Sequence, residues 1–131
     1  MSDANYNKIK HLVEVDDDIL AVFTIILGER YNMENLSISK DSNITNDLVN
    51  YILAKLQESL RSVKEDKQDM DNRLGRLKWT INETERIRTL IIYEKARVVV
   101  VLIKSNISLS ETVDNVLGYY YERENPLEDF P

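Results

Sequence analysis

The sequence predicts an α/β domain: a three-layer sandwich in which a five-stranded antiparallel sheet carries helices on both faces, in the order α-β-β-α-β-β-β-α. Two apolar runs, Ile19–Leu27 and Val98–Ile103, lack polar alternation, which indicates strands covered on both sides. Three consecutive strand patterns joined by short turns are typical of an antiparallel meander. Amphipathic helical patterns supply the two outer layers.

The N-terminal part predicts a helix followed by a hairpin. Residues 5–14 place apolar side chains three and four positions apart on one helical face, at Tyr6, Ile9, Leu12 and Val13. The acidic triplet Asp16-Asp17-Asp18 ends this helix. We expect Ile19–Leu27 to be a central strand, and the weaker alternating run Tyr31–Ile38 to be its hairpin partner at an edge of the sheet.

A central helix is expected from about Ile44 to Val63, with Ser42 or Asn43 capping its first amides. Its apolar positions sweep roughly 200° of the helical wheel, although roughly 100° suffices to pack on one surface. They are Ile44, Leu48, Val49, Tyr51, Ile52, Leu53, Leu56, Leu60 and Val63. This helix therefore needs cover on more than one side. The charged segment Lys64–Arg73 is either an extension of the helix or an exposed connector.

The meander occupies residues 73–104. Arg73–Asn82 alternates, with Leu77, Trp79 and Ile81 on its apolar side, which is typical of a half-exposed edge strand. We expect Trp79 to lie in the core, or otherwise at an interface. Ile87–Tyr93 and Val98–Lys104 complete the three strands.

The last helix begins at a capping box, in which Ser108 and Glu111 each satisfy a backbone amide. It runs to about Glu124, with an apolar face formed by Leu109, Val113, Val116, Leu117, Tyr120 and Tyr121. We expect a single domain over residues 1–124 and an acidic tail over 125–131.

Composition excludes several classes of protein. The chain has 131 residues, no cysteine and a net charge of −6. The missing thiols fit a reducing, cytoplasmic location, and the negative charge argues against a general nucleic-acid binder. The apolar runs are far shorter than the roughly 20 residues that span a bilayer, so no integral membrane segment is expected.

We find no pattern that predicts catalysis, a cofactor or a metal centre. Three glycines are too few for a phosphate-binding loop, and His11 is the single histidine. His11 is expected at the surface or its boundary. Asp16–Asp18 carry oxygen ligands suited to Mg²⁺ or Ca²⁺, but the spacing of a calcium-binding EF-hand is missing, and a solvated loop that ends a helix explains them. We therefore expect no catalytic, cofactor-binding or metal-binding residue.

Several cations cluster on the third and fourth strands, at Arg73, Arg76, Lys78, Arg86 and Arg88. Charge of this kind protects a sheet edge from pairing. The alternative is a basic patch that faces an acidic protein or a lipid head group.

The sequence resembles the roadblock / dynein light-chain family, which is related to the longin fold. The resemblance rests on the order of elements, on the run Leu90–Ile103 with its tight turn between two apolar strands, and on Asn106–Glu111 at the entry to the last helix. The first hairpin departs from the family, because it holds Gly28-Glu29-Arg30 instead of Asp-Gly. Glu94–Arg97 also lacks the glycine that the family often has in its later turn.

The resemblance implies a homodimer or heterodimer in which third strands pair edge to edge and central helices pack together. The dimer interface is then expected at Val49, Leu53, Leu56, Leu60, Leu77 and Trp79. Polar positions on the outer face of the paired central helices would form a partner-binding ridge, at Asp47, Asn50, Gln57, Glu58 and Arg61.

Two functions remain open, and neither is enzymatic. The resemblance implies a GTPase regulator: an adaptor that works through protein–protein interaction and binds and regulates a small Ras-like GTPase. The alternative is a structural scaffold subunit of a larger motor or membrane-associated complex.

Overall fold

The computed structural model describes residues 10–14, 16–28, 30–40 and 42–124, with the backbone alone described at 60–71 and 122–124. Residues 10–14 form helix α1. The strands are β1 (Ile19–Ile26), β2 (Asn32–Ile38), β3 (Trp79–Glu83), β4 (Ile87–Tyr93) and β5 (Arg97–Lys104). The other helices are α2 (Asn46–Leu74), α3 (Leu109–Thr112), a π-helical turn (Val113–Gly118) and α4 (Tyr119–Glu124).

The strands form one antiparallel sheet in the order β2-β1-β5-β4-β3. This arrangement confirms the predicted fold class. The two apolar runs become the interior strands β1 and β5, and the weaker run becomes the edge strand β2, as expected. The predicted start of the first helix, with Tyr6 and Ile9, lies outside the described residues.

Alternating side chains of the inner strands serve two separate cores. On one face, Val99, Val101 and Ile103 pack with Leu12 of α1 and with the C-terminal helices. On the opposite face, Val98 and Val100 pack with Val49 of α2. Because β5 is buried on both sides, its run of apolar residues has no polar positions.

The edge strand β2 contains a β-bulge. Val22 pairs with Ser37, but Thr24 pairs with Glu34, so Asn35 and Leu36 together oppose the single residue Phe23. Asn35 has φ 56°, a left-handed conformation that asparagine tolerates better than most residues. The bulge therefore interrupts the regular alternation of this edge.

Helix α2 begins later and ends later than predicted. Thr45, and neither Ser42 nor Asn43, caps it, because Thr45 Oγ1 accepts a hydrogen bond from Leu48 N at 3.2 Å. The helix continues through the charged segment to Leu74, so the extension alternative is correct. Gly75 follows with φ 87°, the left-handed conformation with which glycine commonly ends helices.

The third strand is shorter than its sequence pattern. The prediction that it begins at Arg73 is wrong, since α2 reaches Leu74 and regular pairing with β4 starts at Trp79. Alternation of polar and apolar residues over 73–78 reflects the helix end and a connecting loop. The prediction that Trp79 lies in the core is also wrong, because its side chain is 38% exposed.

The C-terminal helices lie along β3 and β4. Ser108 Oγ accepts from Glu111 N at 3.3 Å, which confirms the serine half of the capping box. At the other end, Tyr121 Oη donates to Lys78 O at 3.5 Å. The π-helical turn in between was not predicted. Leu109, expected on the apolar face, is 54% exposed, whereas Tyr120 is buried as expected.

Candidate interaction surface

Strand β3 ends the described sheet, and its outer edge therefore carries backbone groups that no neighbouring strand of the described sheet takes up. Beside this edge stand the partly exposed side chains of Trp79 and Ile81. An open edge flanked by an exposed indole is an unusual combination for an isolated chain, because such an edge is a template for pairing with another chain.

The predicted partner-binding ridge lies on the outer side of α2. Asp47, Asn50 and Glu58 are exposed, and Gln57 is half-buried. The side chain of Arg61 lies outside the described residues. The structure thus brings an acidic and amide-bearing strip together on one helix face, as the helical spacing requires.

The predicted dimer residues separate into two groups. Val49 and Leu56 are buried in the chain's own core against the sheet, and neither presents a surface to a second chain. Leu53 packs at the margin of that core, while Leu77 is half-buried and Trp79 exposed at β3. The side chain of Leu60 lies outside the described residues.

Tyr51 belongs to the predicted apolar arc of α2, but it was not among the residues expected at the interface. It stands at the end of the apolar arc opposite Leu53, and its side chain is 61% exposed. Lys55 Nζ lies 5.6 Å from the centre of its ring, a distance within cation–π range. The excess width of the apolar arc was the signal in the sequence that pointed to an exposed residue such as Tyr51, since packing against the sheet requires only part of that arc.

Arg88 corrects the predicted basic patch, because its side chain is only 5% exposed. Its Nε donates to Glu83 Oε1 at 2.6 Å, and its Nη1 donates to Thr112 Oγ1 at 2.7 Å. Its Nη2 donates to the carbonyl oxygens of Ile107 at 3.0 Å and Ser105 at 3.4 Å. Arg88 therefore ties the end of β3 to the start of α3.

Two sequence signals pointed to this role for Arg88. It stands opposite Glu83 across the tight β3–β4 turn, and it shares an inward-facing strand position with Leu90 and Ile92. Of the other cations in the predicted patch, Arg73, Arg76, Lys78 and Arg86 are exposed. The basic surface is therefore smaller than predicted.

The acidic triplet directly precedes β1, where Lys104 N at the end of β5 donates to Asp18 O at 3.0 Å. Asp16, Asp17 and Asp18 line an open depression together with Asn115. Asp16 Oδ1 accepts from Asp18 N at 2.9 Å, and Lys104 Nζ lies 3.9 Å from Asp18 Oδ1. Within the described ranges, no three His, Cys, Asp or Glu side chains are grouped to hold a metal ion.

His11 is exposed, with Nδ1 3.9 Å from Glu14 and its ring tilted against Tyr119 at 5.5 Å. This position agrees with the surface or boundary site expected for it.

Comparison with known protein families finds no family that matches this chain, and no curated protein matches it either. Among the helices that the structure describes, none is long and apolar enough to cross a membrane.

Proposed function

We propose that this chain is a cytoplasmic, non-catalytic adaptor that forms a homodimer and binds and regulates a small Ras-like GTPase. The observation that carries the proposal is the open β3 edge, and α2 adds a long exposed polar strip. The order of helices and strands supports the same idea, because it is the order of the family that the sequence resembles.

Dimerisation would place two copies of the polar strip on one surface. Joining the β3 edges extends the sheet, and α2 of each chain lies on the same face of that sheet because a two-fold axis perpendicular to it preserves its sides. Asp47 and Glu58 of both chains then contribute four carboxylates. A GTPase with basic residues near its nucleotide-sensing loops complements this surface, and exposed charges of this kind act mainly on association rate and specificity.

The test begins with light scattering at tens of micromolar, where we expect the mass of a dimer. Binding to a GTPase co-purified with the chain is then measured at two salt concentrations for wild type and for Asp47→Arg with Glu58→Arg. We expect the double variant to remain a dimer and to bind at least tenfold more weakly, with the larger loss at low salt.

The matched control reverses two exposed carboxylates on the opposite side of the sheet, Asp17→Arg with Asp114→Arg. It makes the same change in net charge away from α2, so binding should stay near the wild-type value. A monomeric mass, or equal binding by both double variants, would overturn the proposed arrangement.

The proposal also expects no nucleotide chemistry in the chain itself. Calorimetric titration with GTP and Mg²⁺ should give no binding in the micromolar range. A saturable signal there would mean that the chain contains a nucleotide site.

The scaffold alternative is favoured by the length of α2. At roughly 1.5 Å per residue, its 29 residues extend about 43 Å. The sheet is smaller in both directions, since five strands about 4.8 Å apart span roughly 19 Å and an eight-residue strand extends about 27 Å. Part of α2 therefore projects past the sheet and is available to a larger assembly. Size fractionation of a tagged chain from cells distinguishes the two functions, since a scaffold subunit elutes with a large complex and a GTPase adaptor with a small one.

A further inference from the structure

The residues that lead into β3 form a patch of cations and apolar side chains, which we call the entry patch. It consists of Leu74 at the end of α2, the connector residues Arg76, Leu77 and Lys78, and Trp79 at the first position of the strand. Leu74 is 82% exposed and Trp79 38% exposed, and both cations are exposed as well. Exposed apolar side chains that stand together and are rimmed by charge mark a contact site.

Charge in the entry patch has one sign. Residues 73–82 contain three cations and no acidic residue, although the whole chain has a net charge of −6. Within the described part of the chain, neither Arg76 nor Lys78 forms an ion pair. An occupant that complements this patch therefore needs acidic side chains for the cations and apolar side chains for the indole of Trp79.

Helix α4 leads directly to the entry patch. Tyr121 Oη donates to Lys78 O at 3.5 Å, and Tyr93 N donates to the same oxygen at 2.9 Å, so α4 lies beside the entry of β3. Trp79 is on the face of the sheet that carries α4, because it pairs with Ile92, which packs with the C-terminal helices. The chain that follows α4 therefore emerges next to the indole.

Pro126 explains why α4 ends where it does. A proline disfavours helical conformation at the residue before it, and α4 ends at Glu124, two residues before this proline. The acidic tail over 125–131 starts here. Its seven residues span at most about 25 Å when extended, which is enough to cross the entry patch from a tether at the end of α4.

The acidic tail has the composition that the entry patch requires. It places two carboxylates, Glu128 and Asp129, between the apolar residues Leu127 and Phe130. We propose that the acidic tail docks onto the entry patch of its own chain, where it covers Trp79 and pairs with the two cations. The proposal does not depend on the proposed dimer, since it uses side chains and leaves the outer backbone edge of β3 open.

Apolar contact provides most of the attraction, and charge provides the orientation. Exposed ion pairs contribute little individually, whereas an aromatic contact such as Phe130 on Trp79 buries a large area. The tether adds to this, because a segment joined by a short linker is present at a millimolar effective concentration. Contacts that are too weak to hold a free peptide therefore suffice to hold the acidic tail.

The docked tail acts as a cover for the entry patch. While it is in place, the indole of Trp79 is shielded from water and both cations have acidic partners. An external acidic ligand must displace the tail before it can bind here, so the charge of the tail controls access to this corner of the domain.

Disulfide crosslinking in the full chain tests the contact, because the chain contains no cysteine of its own. Leu77→Cys with Pro131→Cys leaves the indole, both cations and the tail carboxylates unchanged. On mild oxidation we expect a disulfide in a product with the mass of one chain, formed roughly tenfold faster than in a control. The matched control is Arg86→Cys with Pro131→Cys, because Arg86 is exposed and lies beyond the exit of β3.

Charge substitutions show whether docking or simple reach forms this disulfide. Glu128→Lys with Asp129→Lys should slow it to the rate of the control. Adding Arg76→Glu with Lys78→Glu should restore the fast rate, because opposite charges then face each other again. The proposal is overturned by equal rates at the two cysteine positions, by a rate that the charge substitutions leave unchanged, by a disulfide that joins two chains, or by no disulfide.

Fluorescence gives a readout without cysteines, because Trp79 is the sole tryptophan. At equal protein concentration, Glu128→Lys with Asp129→Lys should shift its emission to longer wavelength, since release of the tail leaves the indole in water. The matched control, Asp17→Lys with Asp114→Lys, makes the same charge change at exposed residues outside the entry patch and should keep the wild-type emission. Unchanged emission in the tail variant, or equal shifts in both variants, would overturn the proposal.

Discussion

The two edges of the sheet are built differently, and the difference indicates which of them is better suited to pairing with another chain. Strand β2 has a bulge at Asn35 and Leu36, where a left-handed residue breaks the alternation of backbone groups. Strand β3 pairs with β4 without a register shift over its whole length. Bulges are one of the devices by which proteins keep a sheet edge from pairing. The regular edge is therefore the one suited to an interface.

The regular edge is also fixed to the rest of the domain by a buried charge. Arg88 holds the carboxylate of Glu83 at the end of β3 and, with the same guanidinium, Thr112 on α3. A short edge strand of five residues has few other contacts to keep it flat. We regard this contact as the reason that β3 stays in register at its exit.

The largest effect is expected when this anchor is removed. Arg88→Met should lower the free energy of unfolding by about 3 kcal/mol, because it strips partners from Thr112 and from two backbone carbonyl oxygens. Urea denaturation measures the loss. Arg86→Met, an exposed change in the same hairpin, is the control and should stay within about 0.5 kcal/mol. Equal losses in the two variants would mean that the buried contact does not stabilise the edge.

A proline substitution in each edge strand compares most directly how much the two edges contribute to the proposed dimer. Ile81→Pro deletes an outward N–H of β3 while sparing the bonds to β4, and proline is tolerated at such edge positions. We expect the dimer dissociation constant to rise about 100-fold, since a lost symmetric bond pair and steric clash together cost about 2.7 kcal/mol. Sedimentation equilibrium gives the constant, and circular dichroism checks that the chain still folds.

The corresponding change on the other edge is Met33→Pro. Leu27 N donates to Ala96 O, so alternation turns Thr24 and Ile26 toward β2 and leaves Met33 of β2 pointing outward. The dimer dissociation constant of this variant should equal that of the wild type. If it dissociates the dimer as strongly as Ile81→Pro, the bulged edge takes part in the interface.

A smaller effect is expected on α2, which the proposed dimer would bring against α2 of the second chain. Tyr51→Glu changes a side chain that is 61% exposed, so the subunit should keep its stability within about 0.5 kcal/mol. Its dimer dissociation constant should rise about tenfold, which corresponds to a loss of roughly 1.4 kcal/mol of binding free energy, because a charge would replace an aromatic contact. Analytical ultracentrifugation at matched concentrations measures this. A constant unchanged from wild type would leave β3 as the sole contact.

Leu53→Glu is the contrasting variant on the same helix. Leu53 packs at the margin of the core, and a charge there should lower the stability of the subunit itself by about 1–2 kcal/mol. A change in its oligomeric mass can then be separated from unfolding by measuring both quantities on the same sample. A variant that dissociates without losing stability would place Leu53 in the interface, as its position on the helical wheel predicts.

The fold class and the interior strands could be predicted well from the sequence, because a strand buried on both faces is a continuous run of apolar residues. Val98–Ile103 and Ile19–Leu27 contain almost no polar residue, and they form two of the three interior strands. The boundary between α2 and β3 was predicted poorly, because Leu74 and Leu77 continue an alternating pattern across a helix end that only Gly75 marks.

The surface was harder to predict than the core, for a physical reason. Helical periodicity identifies which residues share a face, but it does not say how much of a wide apolar arc the sheet covers. Val49 and Leu56 are buried in the chain's own core, whereas Tyr51 is exposed. Arg88 was placed with the exposed cations because its partners Thr112 and Ile107 are distant in sequence. The polar strip at Asp47, Asn50 and Glu58 needed only the period of the helix.

The smallest effect concerns the bulge that distinguishes the β2 edge. Asn35 has φ 56°, and an ordinary L residue in this conformation costs about 1–2 kcal/mol. Asn35→Ala should therefore lower the free energy of unfolding by about 1 kcal/mol, whereas Asn35→Gly should leave it within about 0.5 kcal/mol, since glycine adopts positive φ readily. Urea denaturation of both variants gives the comparison. If glycine destabilises more than alanine, the side chain of Asn35 and not its backbone conformation maintains the bulge. If alanine instead produces concentration-dependent association beyond the dimer, the bulge has been lost and the second edge has become available for pairing.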